Sequence, residues 1–86
     1  MSDVDPGELA SYRVCKYLVR SIVENPDEVK VKVDTDGDRS QLDVSVADGD
    51  MGRVIGKRGR VANAIRTVVR AAAAQDGIEV DVEFLD

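Results

Sequence analysis

The stretch Met51-Gly52-Arg53-Val54-Ile55-Gly56-Lys57-Arg58-Gly59-Arg60-Val61 sets two glycines around a pair of cations, with apolar residues on either side. Glycine permits tight turns, and its missing side chain lets another backbone come close. Residues 51–55 read as a short helix, 56–59 interrupt it, and a longer helix starts at about Arg60. The start of a helix offers unpaired amides and the positive end of its dipole. Lys57 and Arg58 add charge where a phosphate would sit. The segment therefore reads as a short cradle for a sugar–phosphate backbone, anchored to the core by Val54, Ile55 and Val61. A bare Gly-X-X-Gly is usually no more than a turn between helices; the cations inside it and the acid-free sequence around it point further. A Walker-type loop is excluded. It needs G-x-x-x-x-G-K-[ST] after a strand, whereas three residues separate Gly52 from Gly56 and Arg58 stands at the hydroxyl position. A dinucleotide fingerprint fails for lack of a G-x-G.

Outward from the loop, charge is unevenly spread. Arg53, Lys57, Arg58, Arg60, Arg66 and Arg70 fall within residues 53–70, which hold no Asp or Glu. The other 68 residues carry six basic and 17 acidic groups, so the net charge of −5 conceals one basic strip on an acidic chain. A pI near 4.6 argues against non-specific coating of nucleic acid, and the strip argues for a defined anionic ligand. With 86 residues the chain has room for one core, hence one domain over 1–86. The longest apolar run, Ala71-Ala72-Ala73-Ala74, is too short for a membrane span of about 20 residues. The acidic start, Met1-Ser2-Asp3-Val4-Asp5-Pro6, lacks the apolar core of a signal peptide. The lone Cys15 excludes an internal disulfide, fits a reducing cytoplasm and reads as a small core residue. Without histidine, the Ser-His-Asp and Cys-His nucleophile systems and nearly all zinc sites are excluded. No enzyme chemistry, metal or cofactor is expected.

Periodicity supplies the elements. Over residues 8–23, Leu18 and Ile22 lie in line with Cys15, with Tyr12, Val19 and Val23 beside them, and Asn25-Pro26 ends this helix. Val29, Val31 and Val33 alternate with Lys30, Lys32 and Asp34. Beyond the turn Asp36-Gly37-Asp38, Leu42, Val44 and Val46 alternate with Asp43 and Ser45. These two strands predict an antiparallel hairpin. Either Asp48 or Asp50 is placed to cap the helix at 51–55. Over 60–75, Val61, Ile65, Val68, Val69 and Ala72 form an apolar stripe, with Asn63, Arg66, Thr67 and Arg70 opposite. Asp76-Gly77 stops that helix. Ile78, Val80, Val82 and Phe84 then alternate with Glu79, Asp81 and Glu83 as a third strand. The order is α-β-β-α-α-β. Three amphipathic strands covered by helices on one face make a two-layer α+β domain, with its core at about 9–84. The outward strand positions Lys30, Lys32, Asp34, Asp43, Ser45, Glu79, Asp81 and Glu83 carry two basic and five acidic groups, so this face disfavours an anionic backbone.

Val54-Ile55-Gly56-Lys57-Arg58-Gly59 matches the VIGxxG signature of KH domains, and the element order resembles the type II KH fold over about Leu9 to Phe84. Residues 51–60 and Ala64-Ile65-Arg66-Thr67-Val68-Val69 are similar to the small stand-alone bacterial KH proteins of the KhpA family. The resemblance implies a cytoplasmic protein that binds single-stranded RNA. It further implies an RNA chaperone or post-transcriptional regulator linked to cell shape and cell division. It implies a homodimer, or a heteromer with the larger KH protein KhpB (Jag). On that likeness Gly56, Lys57, Arg58 and Gly59 clamp about four nucleotides by their backbone. Bases would lie in a groove between the two central helices and the edge of the second strand. Val54, Ile55, Val61 and Ile65 would touch bases or support residues that do, against the plainer reading of each as core. Arg53 and Arg60 flank the loop within reach of phosphates; Arg66 and Arg70 read as solvated. Tyr12, Tyr17 and Phe84 lie outside the basic segment, so aromatic base stacking is not expected. The alternative is a protein-interaction module of the same fold, with RNA incidental.

Overall fold

Alternating valines place the sheet's two faces in different surroundings. In the structure, a computed structural model that describes residues 9–85, the strands are β1 (Lys30–Asp36), β2 (Arg39–Ser45) and β3 (Glu79–Leu85). The acidic segment 1–6 and Glu8, the expected start of the first helix, lie outside the described residues. β1 and β2 form the antiparallel hairpin, and β3 joins β2 in parallel, giving the order β1-β2-β3. The register stacks residues in rows. Val31–Val44–Phe84 and Val33–Leu42–Val82 line the inner face, while Lys32–Asp43–Glu83 and Asp34–Gln41–Asp81 line the outer one. Parallel strands need a long crossover, and the two later helices provide it. Since β2 is hydrogen-bonded on both sides, it has no free edge. The expected groove at the edge of the second strand is thereby corrected: the free edges belong to β1 and β3, and β3 is the one packed against the last helix.

Three α-helices, α1 (Ala10–Ile22), α2 (Met51–Ile55) and α3 (Arg60–Asp76), cover the inner face. Cys15, Val19 and Val23 from the first helix and its end meet Ile65, Val69 and Ala73 of α3 over Leu42, Val44, Val80 and Val82. Full burial of each such aliphatic side chain contributes roughly 1.5–3 kcal/mol. Two details differ from the sequence pattern. In α1 the innermost line is Ser11, Cys15 and Val19, with Leu18 and Ile22 only half-buried. In α3, Val68 leaves the stripe and stays 47% exposed. Burial pushes the Cys15 thiol up to about 11, so it stays protonated, as a core residue should.

Two carboxylates, the half-buried Asp76 and the buried Asp50, brace the ends of α1, and neither brace was expected. Asp76, on the last turn of α3, accepts hydrogen bonds from the Ala10 amide at 3.0 Å, the Ser11 amide at 3.0 Å and the Ser11 hydroxyl at 2.9 Å. It caps the first turn of α1 from 65 residues away. Burial pushes the Asp76 carboxyl up, but those bonds and the Arg13 charge outweigh it and hold the group below its ordinary value. Asp50 accepts from the Glu24 amide, the Asn25 amide and the Asn25 side-chain nitrogen, each at 3.0 Å. It sits at the N-cap position of α2 but makes no cap bond there, and Asp48 makes none either. The expected cap is corrected: the 1%-exposed Asp50 carboxylate is spent on the segment after α1, tying it to the start of α2. The Glu24 amide bond leads the forces holding the Asp50 carboxyl below its ordinary value; Asn25 and Arg53 help, against burial.

Candidate nucleic-acid interface

Between α2 and α3 the chain turns through three left-handed residues in four. Gly56 has φ +75°, Arg58 +57° and Gly59 +73°, and residues Lys57–Gly59 form a single 3-10 turn. The Gly56 amide closes α2 on the Gly52 carbonyl at 2.9 Å, and the Gly59 amide bonds the Gly56 carbonyl at 3.2 Å. Gly56 is required twice. Besides its φ, a Cβ there would stand 2.3 Å from Val61 Cγ2 and 2.9 Å from the Val61 amide nitrogen. Gly59 is required once, for its φ alone, as the nearest atom to an added Cβ is Asn63 Nδ2 at 4.0 Å. Arg58 is the one non-glycine with positive φ among the described residues, a conformation that costs roughly 1–2 kcal/mol. Such strain persists only where the surroundings enforce it, and it concentrates at ligand clamps.

The turn displays its charge. Lys57 and Arg58 are exposed, and with Arg60 they enter no ion pair among the described residues. No described side chain caps the first amides of α3. Exposed cations and a helix's positive end converge on one spot, a ready site for an anion, with the Arg60 amide itself bonded to the Lys57 carbonyl. Arg53 is committed differently: its guanidinium lies 3.0 Å from Glu24 and 3.8 Å from the buried Asp50. The four apolar candidates separate cleanly. Val54 at 0% and Ile65 at 3% exposure have no surface to offer and back the loop from the core. Ile55 and Val61 are half-buried and keep a face to solvent.

Arg66 departs from its expected solvated state. Its Nε donates to the Val82 carbonyl at 3.2 Å and its Nη1 to Asn63 Oδ1 at 3.2 Å, and its guanidinium carbon lies 5.3 Å from the Phe84 ring centre. The parallel β2–β3 pairing brings Phe84 back beneath α3, joining an aromatic to the basic segment that is distant in sequence. Arg70 remains exposed, 3.7 Å from Asp81. The strands' outward positions are exposed or half-buried, and Asp81 there also pairs with Arg39 at 3.1 Å. Sequence reasoning also passed over Arg13, Lys16 and Arg20. They share α1, a helix without a single Asp or Glu, and a count taken helix by helix exposes them where a contiguous count does not. None of the described helices is long and apolar enough to cross a membrane.

Comparison with known proteins agrees with this fold. Two structures of Era resemble the fold: one from Aquifex aeolicus bound to GDP.AlF4-, at TM-score 0.66 and 18% identity, the other in complex with MgGDPNP and nucleotides 1506–1542 of 16S ribosomal RNA, at 0.69 and 20%. The chain is covered to 96% and 95%, but spans only 31% of either Era chain. The RNA-binding protein KhpA of Clostridium acetobutylicum is 47% identical over 73 residues, 85% of this chain and 97% of that protein. That of Borreliella burgdorferi is 43% identical, covering 83% and 87%, and that of Mycobacterium bovis 45%, covering 83% and 88%. The KhpA/KhpB KH-domain profile matches residues 13–84, which include the whole loop and its flanking helices, and the chain belongs to this family.

Proposed function

We propose that this KH unit, one domain with its core at about 9–84, binds single-stranded RNA by gripping the sugar–phosphate backbone with Gly56-Lys57-Arg58-Gly59. The observation that carries the reading is the left-handed turn that holds two exposed cations at the uncapped start of α3. Gly56 and Gly59 let a backbone approach closely; Lys57 and Arg58 neutralise phosphates; Arg60, on the first turn of α3, reaches the next one. Arg53 holds the base of α2 through Glu24 and Asp50, leaving it partly available. Ile55 and Val61 offer their exposed surfaces to bases, and Val54 fixes the loop from behind. The name of the relatives, RNA-binding protein KhpA, supports RNA as the ligand. The chain acts as a binding protein of the cytoplasm, an RNA chaperone or post-transcriptional regulator serving cell shape and division, with no catalytic step.

A second reading, assembly, is favoured by one observation. Val68 is 47% exposed beside Leu18, Ile22, Val61 and Ala64, which together line an apolar depression between α1 and α3. A homodimer, or pairing with a KhpB (Jag)-type protein, would cover it and bring two loops to one RNA, raising avidity. The test of the main reading is the double variant Lys57→Asp/Arg58→Asp, measured for binding to a short single-stranded RNA. Two charge-assisted contacts at about 1.5–3 kcal/mol each predict a loss of a hundredfold or more, with stability unchanged within about 0.5 kcal/mol. Normal binding by a folded double variant would remove the loop as the site.

A further inference from the structure

The sheet has two free edges, and the charges along them are in different states. On β3, Asp81 is taken by Arg39 and Arg70, and the Arg66 guanidinium bonds the Val82 carbonyl. On β1, Lys30, Lys32, Asp34 and Asp36 are exposed on the outer face, and none of them enters an ion pair among the described residues. The strand pairs with β2 without a break from Lys30 to Asp36 and holds no proline, so its other edge is regular. On the inner face Val31 and Val33 are only half-buried, while their neighbours Val44 and Leu42 on β2 are fully buried. The α1 helix therefore does not seal this edge. Charges on an edge strand ordinarily keep other strands away. The order of these charges makes one exception. Lys32 and Asp34 flank Val33, and Lys30 and Asp36 stand one further step of the pleat to either side. A second β1 laid antiparallel about a twofold axis at Val33 sets Lys30 opposite the partner's Asp36 and Lys32 opposite the partner's Asp34, each twice over. Val33 then meets the partner's Val33 on the inner face, and Val31 meets the partner's Thr35. Every other register is opposed. A slip of two residues brings Lys32 against the partner's Lys32, or Asp34 against the partner's Asp34. A slip of one turns the partner's charges to the helix side. Parallel pairing in register opposes like charges throughout.

We propose that β1 is a docking edge for a second copy of this chain, paired antiparallel about Val33 so that two sheets join into one. The axis stands perpendicular to the sheet, so both helix layers face one way and both outer faces the other. Since α2 follows the Ser45 end of β2, beside Lys30, the two loops fall at opposite ends of the joined sheet, on its helix side. This edge is separate from the depression between α1 and α3, and the inference does not depend on what the loop binds.

The test exchanges the charges. Lys30→Asp/Lys32→Asp makes every outward position of β1 acidic, and Asp34→Lys/Asp36→Lys makes every one basic. With helix content and melting checked first, each variant alone is expected to raise the dimer dissociation constant at least about tenfold in sedimentation equilibrium, because like charges are then directly opposed. An equimolar mixture of the two is expected to form a heterodimer within about threefold of the parent's affinity, because the opposite charges meet again. A second readout keeps all the charges. Val33→Cys is expected to crosslink to itself on mild oxidation, as directly opposed Cα atoms lie about 4.5–5.5 Å apart, within disulfide reach. Val31→Cys is expected not to, as its two copies stand roughly 13 Å apart along the strands. Cys15 is fully buried and does not compete. Val68→Asp, which charges the depression between α1 and α3, is expected to leave the dimer intact. A parent that is monomeric at NMR concentration would overturn the proposal, as would a mixture no tighter than its components or equal crosslinking of Val31→Cys and Val33→Cys. So would a dimer that Val68→Asp dissolves and both charge variants leave whole.

Discussion

The helix layer and the sheet layer share one apolar core and turn opposite charges to water. Helices α1 to α3 with the intervening loop carry nine basic residues and a single acid, Asp76, whose oxygens are engaged by the start of α1. The three strands carry three basic residues and six acids. The net charge of −5 is therefore an average over two faces that would meet a polyanion in opposite ways. An acidic protein can be a specific RNA ligand when the fold sorts its charges, since the field of the sorted layers turns the basic side toward the strand. The layers differ in backbone as well. Positive φ is concentrated at the loop on the helix side, at Gly56, Arg58 and Gly59.

The comparison breaks most easily at Gly56, because there geometry can be changed with every charge left in place. Gly56→Ala forces a Cβ into Val61 and into a left-handed conformation. It is expected to lower stability by about 2–4 kcal/mol by urea unfolding and RNA affinity by at least tenfold. Gly59→Ala meets only the backbone strain, about 1 kcal/mol. If the two cost the same, the close approach of Val61 is not what fixes the turn.

Asp76 sharpens the comparison as the one acid of the basic layer. Asp76→Ala is expected to cost about 1 kcal/mol, the loss of a helix cap, without weakening RNA binding. Its folded pKa is depressed, so its contribution is present above the ordinary carboxylate value of about 3.9 and is lost as pH falls through the lower folded value. Asp76→Asn should thus be less stable than the parent at pH 7 and lose less stability between about pH 4 and pH 2. An identical acid limb in melts of the two proteins would show that the carboxylate is not a brace.

Smaller effects are expected from salt and from the sheet. A 4-nucleotide RNA on the loop, with three or four phosphates neutralised, should give a log–log salt slope of about −2 to −3. Neutralising the acidic layer with Glu79→Gln/Asp81→Asn/Glu83→Gln should change RNA affinity less than threefold, and upward. The Arg39–Asp81 pair lost with it is exposed on both partners and contributes about 1 kcal/mol or less. A large loss of affinity in that variant would place RNA on the sheet.

What could be read from the sequence follows a physical divide. Strands, helices and the loop are local, since a period of two, a period of 3.6 and a glycine pair are written within a few residues. VIGKRG accordingly reads as a loop between two helices from its own residues. Contacts that join distant segments left no such trace. Nothing near Asp76 announces that it caps a helix 65 residues upstream, nor does Asp50 reveal that its carboxylate serves Glu24 and Asn25. Arg66 looked solvated because its partners, the Val82 carbonyl and the Phe84 ring, arrive only with the parallel strand pairing. Val68 matched the apolar period yet lies outward, because the stripe is wider than the surface α3 buries.

The central claim is that nucleic acid engages the loop side of the helix layer and leaves the acidic sheet face alone. Amide NMR shifts on titrating a 4-nucleotide single-stranded RNA test it most directly, as every residue but the prolines reports its own surroundings. The account predicts shifts concentrated at residues 53–65, with Lys57, Arg58 and Gly59 the largest. Shifts concentrated at residues 79–83, with the loop amides unmoved, would contradict it.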